Sequence, residues 1–137
     1  MTKVLLDMLK ESENASIINI GSVTGLYMGL RNQCAYNVCK ALIHNMTRGM
    51  AIEYGKYDIC VNAVIPGSTM NPSVRELFYT DQESTHKMLK HIPLERVCVP
   101  ADIGEMIVHL AEKESNYVNG CLINIDGGWA AGYSAGK

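Results

Sequence analysis

Tyr36 and Lys40 stand four apart in the segment AYNVCKA. On a helix that spacing puts both side chains on one face. A free tyrosine titrates near about 10, too high for general acid–base work at neutral pH. A neighbouring ammonium favours the phenolate. Lowering the value by two to three units takes roughly 3–4 kcal/mol, which one close lysine in a partly desolvated cleft, aided by a cationic ligand, can supply. Ser22 follows an apolar run. Its hydroxyl can donate to a carbonyl oxygen while Tyr36 gives or takes the proton. Each residue also has a plainer reading. A YxxxK pair is often a surface lysine beside a half-buried tyrosine, and a lone serine after a strand is more often a turn residue.

The elements that must hold these residues follow from periodicity. Residues 3–12 read as the end of an amphipathic helix, with Val4, Leu5, Met8 and Leu9 on its apolar side. ASIINI (15–20) and ICVNAVI (59–65) read as buried strands, ended by Gly21 and by Pro66-Gly67. Residues 34–54 form a long helix on the spacing of Val38, Leu42, Met46 and Met50, with Gly55 as its cap. Two short helical patterns fill 73–91, interrupted around Thr80-Asp81. A loop over 93–99 leads to a helix from Pro100 to about Lys113, acidic at its start. A third strand covers 118–125 around CLINI, followed by an Asp126-Gly127-Gly128 turn and a tail over 129–137. Apolar strands alternating with helices predict an α/β fold with a parallel sheet and right-handed crossovers. Ligands in such sheets collect beyond the carboxyl ends of the strands, here Gly21-Ser22, Pro66-Gly67 and Asp126-Gly127.

Composition narrows the function classes. A chain of 137 residues, 47% apolar and 19% charged, suits one globular domain over 1–137. With 12 basic against 14 acidic residues, no excess of positive charge exists to hold a nucleic acid or an anionic membrane. No apolar run reaches membrane-spanning length, and the first residues do not read as a signal or transit peptide. Five cysteines, odd in number and without a CxxC pair, read as small buried hydrophobes of a reducing, cytoplasmic compartment. His44, His86, His91 and His109 are scattered and read as solvated or half-buried, with no metal site expected.

Several segments agree in order and spacing: INIGSVTG (18–25), YNVCK (36–40), VNAVIPG (61–67), PLERVCVPADI (93–103) and INIDGGW (123–129). Together they resemble the C-terminal, catalytic half of the short-chain dehydrogenase/reductase family, over about 5–133. The resemblance implies a partial Rossmann-like, doubly wound parallel sheet. It also implies hydride transfer between NAD or NADP and a small secondary alcohol or ketone. It casts Ser22 as the donor that polarises the substrate oxygen and Tyr36 as the acid/base. Lys40 is cast as the cation that lowers the tyrosine pKa and holds the nicotinamide ribose. Pro66 and Gly67 match the loop against the nicotinamide. Asn71 stands where the family often has a threonine and could still offer an amide hydrogen bond to the carboxamide. Asn62 and Asp126-Gly127-Gly128 match structural positions. Residues from Ser68 to about Arg96 match the region covering substrate, where Met70, Leu77, Phe78, Tyr79 and Met88 line an apolar pocket or pack the lid.

Two features depart from the family pattern. Ser22 and Tyr36 are fourteen apart, one more than the commonest spacing, which a loop absorbs easily. The N-terminal TGxxxGxG turn and the residue that chooses NAD or NADP have no counterpart. The chain is therefore expected to be truncated relative to the family, with an open edge on strand 15–20, and to need a complementing N-terminal half for activity. Self-association through helix 34–54, as is common in the family, is expected as well. The alternative is a non-catalytic folded fragment or a self-associating interaction module.

Overall fold

The computed structural model describes residues 2–132. Helix α1 spans Thr2–Lys10 and strand β1 Ala15–Ile20. The long helix α2 covers Cys34–Tyr54, and β2 covers Ile59–Pro66. Two short helices, α3 (Pro72–Thr80) and α4 (Gln82–Lys90), precede α5 (Pro100–Ala111) and β3 (Leu122–Ile125). The three strands form one parallel sheet in the order β1-β2-β3. The α/β class, the partial Rossmann-like sheet and the element order therefore stand as predicted. The family's tail residue Tyr133 and the rest of 133–137 lie outside the described residues.

Central β2 is apolar without alternation because both of its faces are covered. Val61, Ala63, Val64 and Ile65 are fully buried. Ile59, Val61, Ala63 and Ile65 alternate onto one face. Toward the start of the strand Ile59 and Val61 pack with Ala15, Ala51, Leu6, Leu9 and Met50. Toward its carboxyl end Ala63 and Ile65 pack with Val23, Leu122 and Trp129. Asn62 and Val64 are buried on the opposite face. The strand at 15–20 is less buried than expected: of its residues only Ala15 is buried, and Ile20 is 41% exposed. Among the described residues β1 and β3 are both edges, so each has a neighbouring strand on one side only.

Register brings the strand ends together. Ile20 pairs with Val64 and Pro66 with Ile125. The next residues extend the ladder, Gly21 N–H donating to the Val64 carbonyl at 2.9 Å and Gly67 N–H to the Ile125 carbonyl at 3.0 Å. Gly21, Gly67 and Asp126 thus share one edge of the sheet.

Three local expectations need correction, and a fourth is met in a different conformation. The third strand begins at Leu122, not at 118, because Gly120 sits at φ 75° and breaks the ladder. Two backbone bonds remain, Gly120 N–H to the Val61 carbonyl at 2.8 Å and Ala63 N–H to the Cys121 carbonyl at 2.9 Å, and side chains supply the rest of the pairing. Asn62 Nδ2 donates to the Val118 carbonyl at 2.6 Å, and its Oδ1 accepts from Cys121 N–H at 3.0 Å. Gly55 caps α2 as expected, its N–H donating to the Ala51 carbonyl, but in a right-handed conformation at φ −55°; a 3₁₀ turn continues through Tyr57, and Asp58 takes the left-handed place at φ 60°. Helix α5 stops at Ala111, with a separate turn over Lys113–Ser115. The cysteines are mostly not core residues. Cys98 is buried and Cys60 partly so, but Cys34 and Cys39 on α2 and Cys121 before β3 are exposed.

Candidate active site

The turn after β1 is the anchor of the site. Residues Val23–Gly25 make one 3₁₀ turn with Ser22 as its cap, at φ −167° and ψ 149°. Ser22 Oγ accepts from Thr24 N–H at 3.3 Å and lies 3.1 Å from Thr24 Oγ1. The plainer reading of Ser22 as a turn residue is therefore correct as far as it goes. A hydroxyl has one donor and two acceptor sites. Accepting from the turn fixes the oxygen and leaves the proton for Thr24 or for an incoming carbonyl. Only 8% of Ser22 is exposed.

Two glycines press this turn onto α2. A Cβ on Gly25 would stand 2.6 Å from the Ala41 nitrogen and from the Lys40 carbonyl carbon. A Cβ on Gly21 would overlap His44 Nε2 and Ile65 Cδ1. Backbone therefore touches backbone at Lys40-Ala41, which a larger residue prevents. Lys40 closes the contact from the helix side, its Nζ donating to the Ile20 carbonyl at 2.9 Å. The same Nζ lies 5.6 Å from the centre of the Tyr36 ring. Tyr36 is 45% exposed and stands on the first turn of α2. Lys40 is thus near both Tyr36 and the end of β1, while Ser22 sits on the turn packed beneath.

The second and third strand ends meet in the same way. A Cβ on Gly67 would come within 2.9 Å of Asp126 Cα. Asp126 is buried, and its carboxylate accepts from Gly128 N–H at 3.0 Å and Ala130 N–H at 2.9 Å. Asn62 and Asp126-Gly127-Gly128 thus fix strand and turn geometry, as the resemblance implied. Beyond Gly67, the 68–70 segment is tied to Cys98 by two backbone bonds, Cys98 N–H to Ser68 at 2.9 Å and Met70 N–H to Cys98 at 2.8 Å. Asn71 then caps α3, its Oδ1 accepting from Val74 N–H at 2.9 Å. Its Nδ2 is left to donate elsewhere.

The lid residues divide. Met70 and Tyr79 border an open groove with Asn71, Pro72, Arg75 and Glu76, whereas Met88 is engaged from below, its Sδ accepting from the Ser68 hydroxyl at 3.2 Å. A second concavity at the end of β3 is lined by Pro93, Arg96, Cys98, Asp102 and Asp126, and by none of Ser22, Tyr36 and Lys40. Two of its charges are paired, Arg96 Nη1 standing 2.7 Å from Asp102 Oδ2 and holding that carboxyl down to about 2. Among the described residues no group of three metal-ligating side chains converges, and no helix is long and apolar enough to cross a membrane.

His44 overturns its sequence reading. It was expected to be solvated or half-buried, yet only 1% of it is exposed. Its Nε2 accepts from Ser22 N–H at 3.2 Å. The available signal was spacing, since Tyr36, Lys40 and His44 recur every four residues along one helical face.

Comparison with known proteins bears on the fold and the family. A family model described as enoyl-(acyl carrier protein) reductase matches residues 1–130. A 3-oxoacyl-[acyl-carrier-protein] reductase of Thermotoga maritima is 36% identical over 128 residues, covering 93% of this chain and 50% of that protein. The structure of a short chain dehydrogenase family protein from Francisella tularensis superposes with a TM-score of 0.82 at 30% identity, over 96% of this chain and 58% of that one. An NADPH-bound short chain oxidoreductase from Pseudomonas aeruginosa gives a TM-score of 0.84 at 25% identity, over 96% and 52%. The chain spans about half the length of the curated relatives it matches.

Proposed function

The chain belongs to the short-chain dehydrogenase/reductase family, and on that premise we propose that it carries the catalytic half of an NAD(P)-dependent oxidoreductase acting on a secondary alcohol or ketone. The observation that carries the proposal is the packing of the Ser22 turn against α2 at Lys40-Ala41, which sets Ser22, Tyr36 and Lys40 on two elements in direct contact.

In this reading Ser22 donates its proton to the substrate oxygen while Thr24 N–H holds the oxygen of the hydroxyl in place. Tyr36, half exposed at the strand-end edge, gives the proton to a ketone oxygen or takes it from an alcohol. Lys40 places a positive charge beside the Tyr36 ring. When nicotinamide is bound, it supplies the hydride chemistry that no side chain here can perform. The residues present fit its nicotinamide end. Lys40 can turn from the Ile20 carbonyl to ribose hydroxyls, Asn71 Nδ2 can donate to a carboxamide, and Gly67, close against Asp126, brings backbone without a side chain to the end of β2. The phosphates and adenosine find no glycine-rich turn in the sequence. We infer that turnover needs a complementing segment, which the exposed edge of β1 is placed to receive.

The α2 face bearing Val38 and Leu42 is largely exposed, at 63% and 67%. That exposure supports self-association through α2 and also keeps the interaction-module reading in play. Turnover with NADPH and a panel of ketones separates them. In the active assembly Tyr36→Phe should lower kcat by about 10²–10⁴-fold while reduced-nicotinamide fluorescence shows binding largely kept. Near-normal turnover in that variant rejects Tyr36 as the acid/base.

A further inference from the structure

His44 is the one fully buried histidine among the described residues, and the reaction outlined above does not use it. Its Nε2 is the acceptor for the Ser22 amide. An imidazole nitrogen accepts only when it carries no proton, so the ring is held as the neutral form with its hydrogen on Nδ1. That Nδ1 is buried without a close, well-aligned hydrogen bond, and the Gly25 backbone carbonyl is the group that favours a proton on the ring. We propose that His44 is a positioning residue for Ser22: its neutral imidazole holds the Ser22 amide and so sets where the Ser22 hydroxyl points, and its protonation releases both. The consequence for catalysis rests on the reading of Ser22 as the substrate-oxygen donor.

Three observations support the assignment. First, the fit is close. Gly21 leaves the space that His44 Nε2 and Ile65 Cδ1 fill, so the ring cannot move toward the strand. Second, the link is short in sequence. The residue whose amide is held is the cap of the 23–25 turn, and its Oγ is set by Thr24 two residues on. A shift of the Ser22 backbone therefore moves the hydroxyl directly. Third, the surroundings disfavour a second proton. Burial pushes the His44 pKa below its usual value, and the cations Arg48 and Lys40, one turn away on either side along α2, push the same way. From the 23–25 turn the Gly25 carbonyl opposes them, and from β2 the ring meets the apolar Ile65. The ring is thus neutral at neutral pH. Only acid turns Nε2 into a donor that faces the Ser22 donor, an arrangement that cannot persist.

The bond can be read without any turnover, on the 137-residue chain labelled with ¹⁵N. At about pH 7.5, where a free histidine is mostly neutral, a scalar coupling between Ser22 N and His44 Nε2 is expected. It should vanish on acidification with the midpoint of the His44 ring titration. A protonated Nε2 at the upper pH, or a Ser22 amide indifferent to the His44 titration, overturns the proposal. Two variants test positioning against simple packing. His44→Leu should speed hydrogen exchange at the Ser22 amide roughly tenfold, the order expected for one lost hydrogen bond. His44→Gln, which returns an acceptor, should restore most of the protection and remove its pH dependence. Equal exchange in wild type and both variants overturns the proposal. If His44→Leu fails to fold, the wild-type titration and His44→Gln decide. Turnover of Ser22→Ala in the active assembly is a separate readout. Undiminished rates there reject the Ser22 role and leave the His44 measurements standing, whereas an inactive Ser22→Ala with no coupling rejects His44 alone.

Discussion

Two segments that follow strand ends in this protein are held by opposite means. After β1, residues 21–24 are all buried, and two glycines put the backbone of the turn against α2 and β2. After β2, the pair α3–α4 buries no residue of α3 and only Thr85 of α4. That pair is organised by its own ends. Asn71 caps α3, Asp81 caps α4 by accepting from Ser84 N–H at 2.9 Å, and the Thr85 hydroxyl donates to the Leu77 carbonyl at 3.2 Å. The turn is placed by excluded volume, which permits no adjustment. The helices α3 and α4 are placed by a few local hydrogen bonds, exposed or part-buried, which open at low cost. Under the proposed function Ser22 stands on the rigid segment, packed against the helix that carries Tyr36 and Lys40, and the substrate cover on the loose one.

The strongest way to break this contrast is Gly25→Ala. Its Cβ would meet the α2 backbone at 2.6 Å, where no side chain can swing aside. A loss of about 3 kcal/mol in global stability is expected, read as a lower urea midpoint with an unchanged slope. A variant that unfolds like wild type would mean the turn has slack, and the contrast would fall.

A smaller, local effect is expected at the other segment. Asn71→Ala removes the α3 cap and should cost about 1 kcal/mol there. Amide exchange over 74–80 should quicken while that of β2 stays as it was. Equal acceleration in β2 would show that the cover and the sheet open together.

The smallest effect extends the contrast to α5, which is also held at its start by a side chain. Asp102 accepts from Val99 N–H at 2.9 Å and pairs with Arg96, and its carboxyl titrates at about 2 against an ordinary 3.8. A carboxyl depressed on folding contributes stability above its unfolded value and loses it as pH falls through the folded one. The urea midpoint should therefore decline between about pH 4 and pH 2, and Asp102→Asn should flatten that part of the curve. An unchanged curve in the variant would mean that the exposed pair is screened by water.

Much of this was written in residue types and spacing. The long helix over 34–54, the strand at 15–20, the break at Thr80-Asp81 and the Tyr36–Lys40 face depend on local periodicity and turn chemistry, which act within a few residues of chain. Catalytic candidates could be named because their motifs recur in order. What the sequence could not decide was set by contacts between distant segments. Neither the early break of β3, filled by Asn62 from β2, nor the exposure of Cys34 and Cys39 follows from local pattern. His44 makes the case most plainly. Its spacing put it on the Tyr36–Lys40 face, but its burial and its bond to Ser22 exist only because Gly21 and Gly25 let the turn after β1 close onto the helix. Periodicity determines which way a side chain faces along its own element; only packing between elements determines what it meets there.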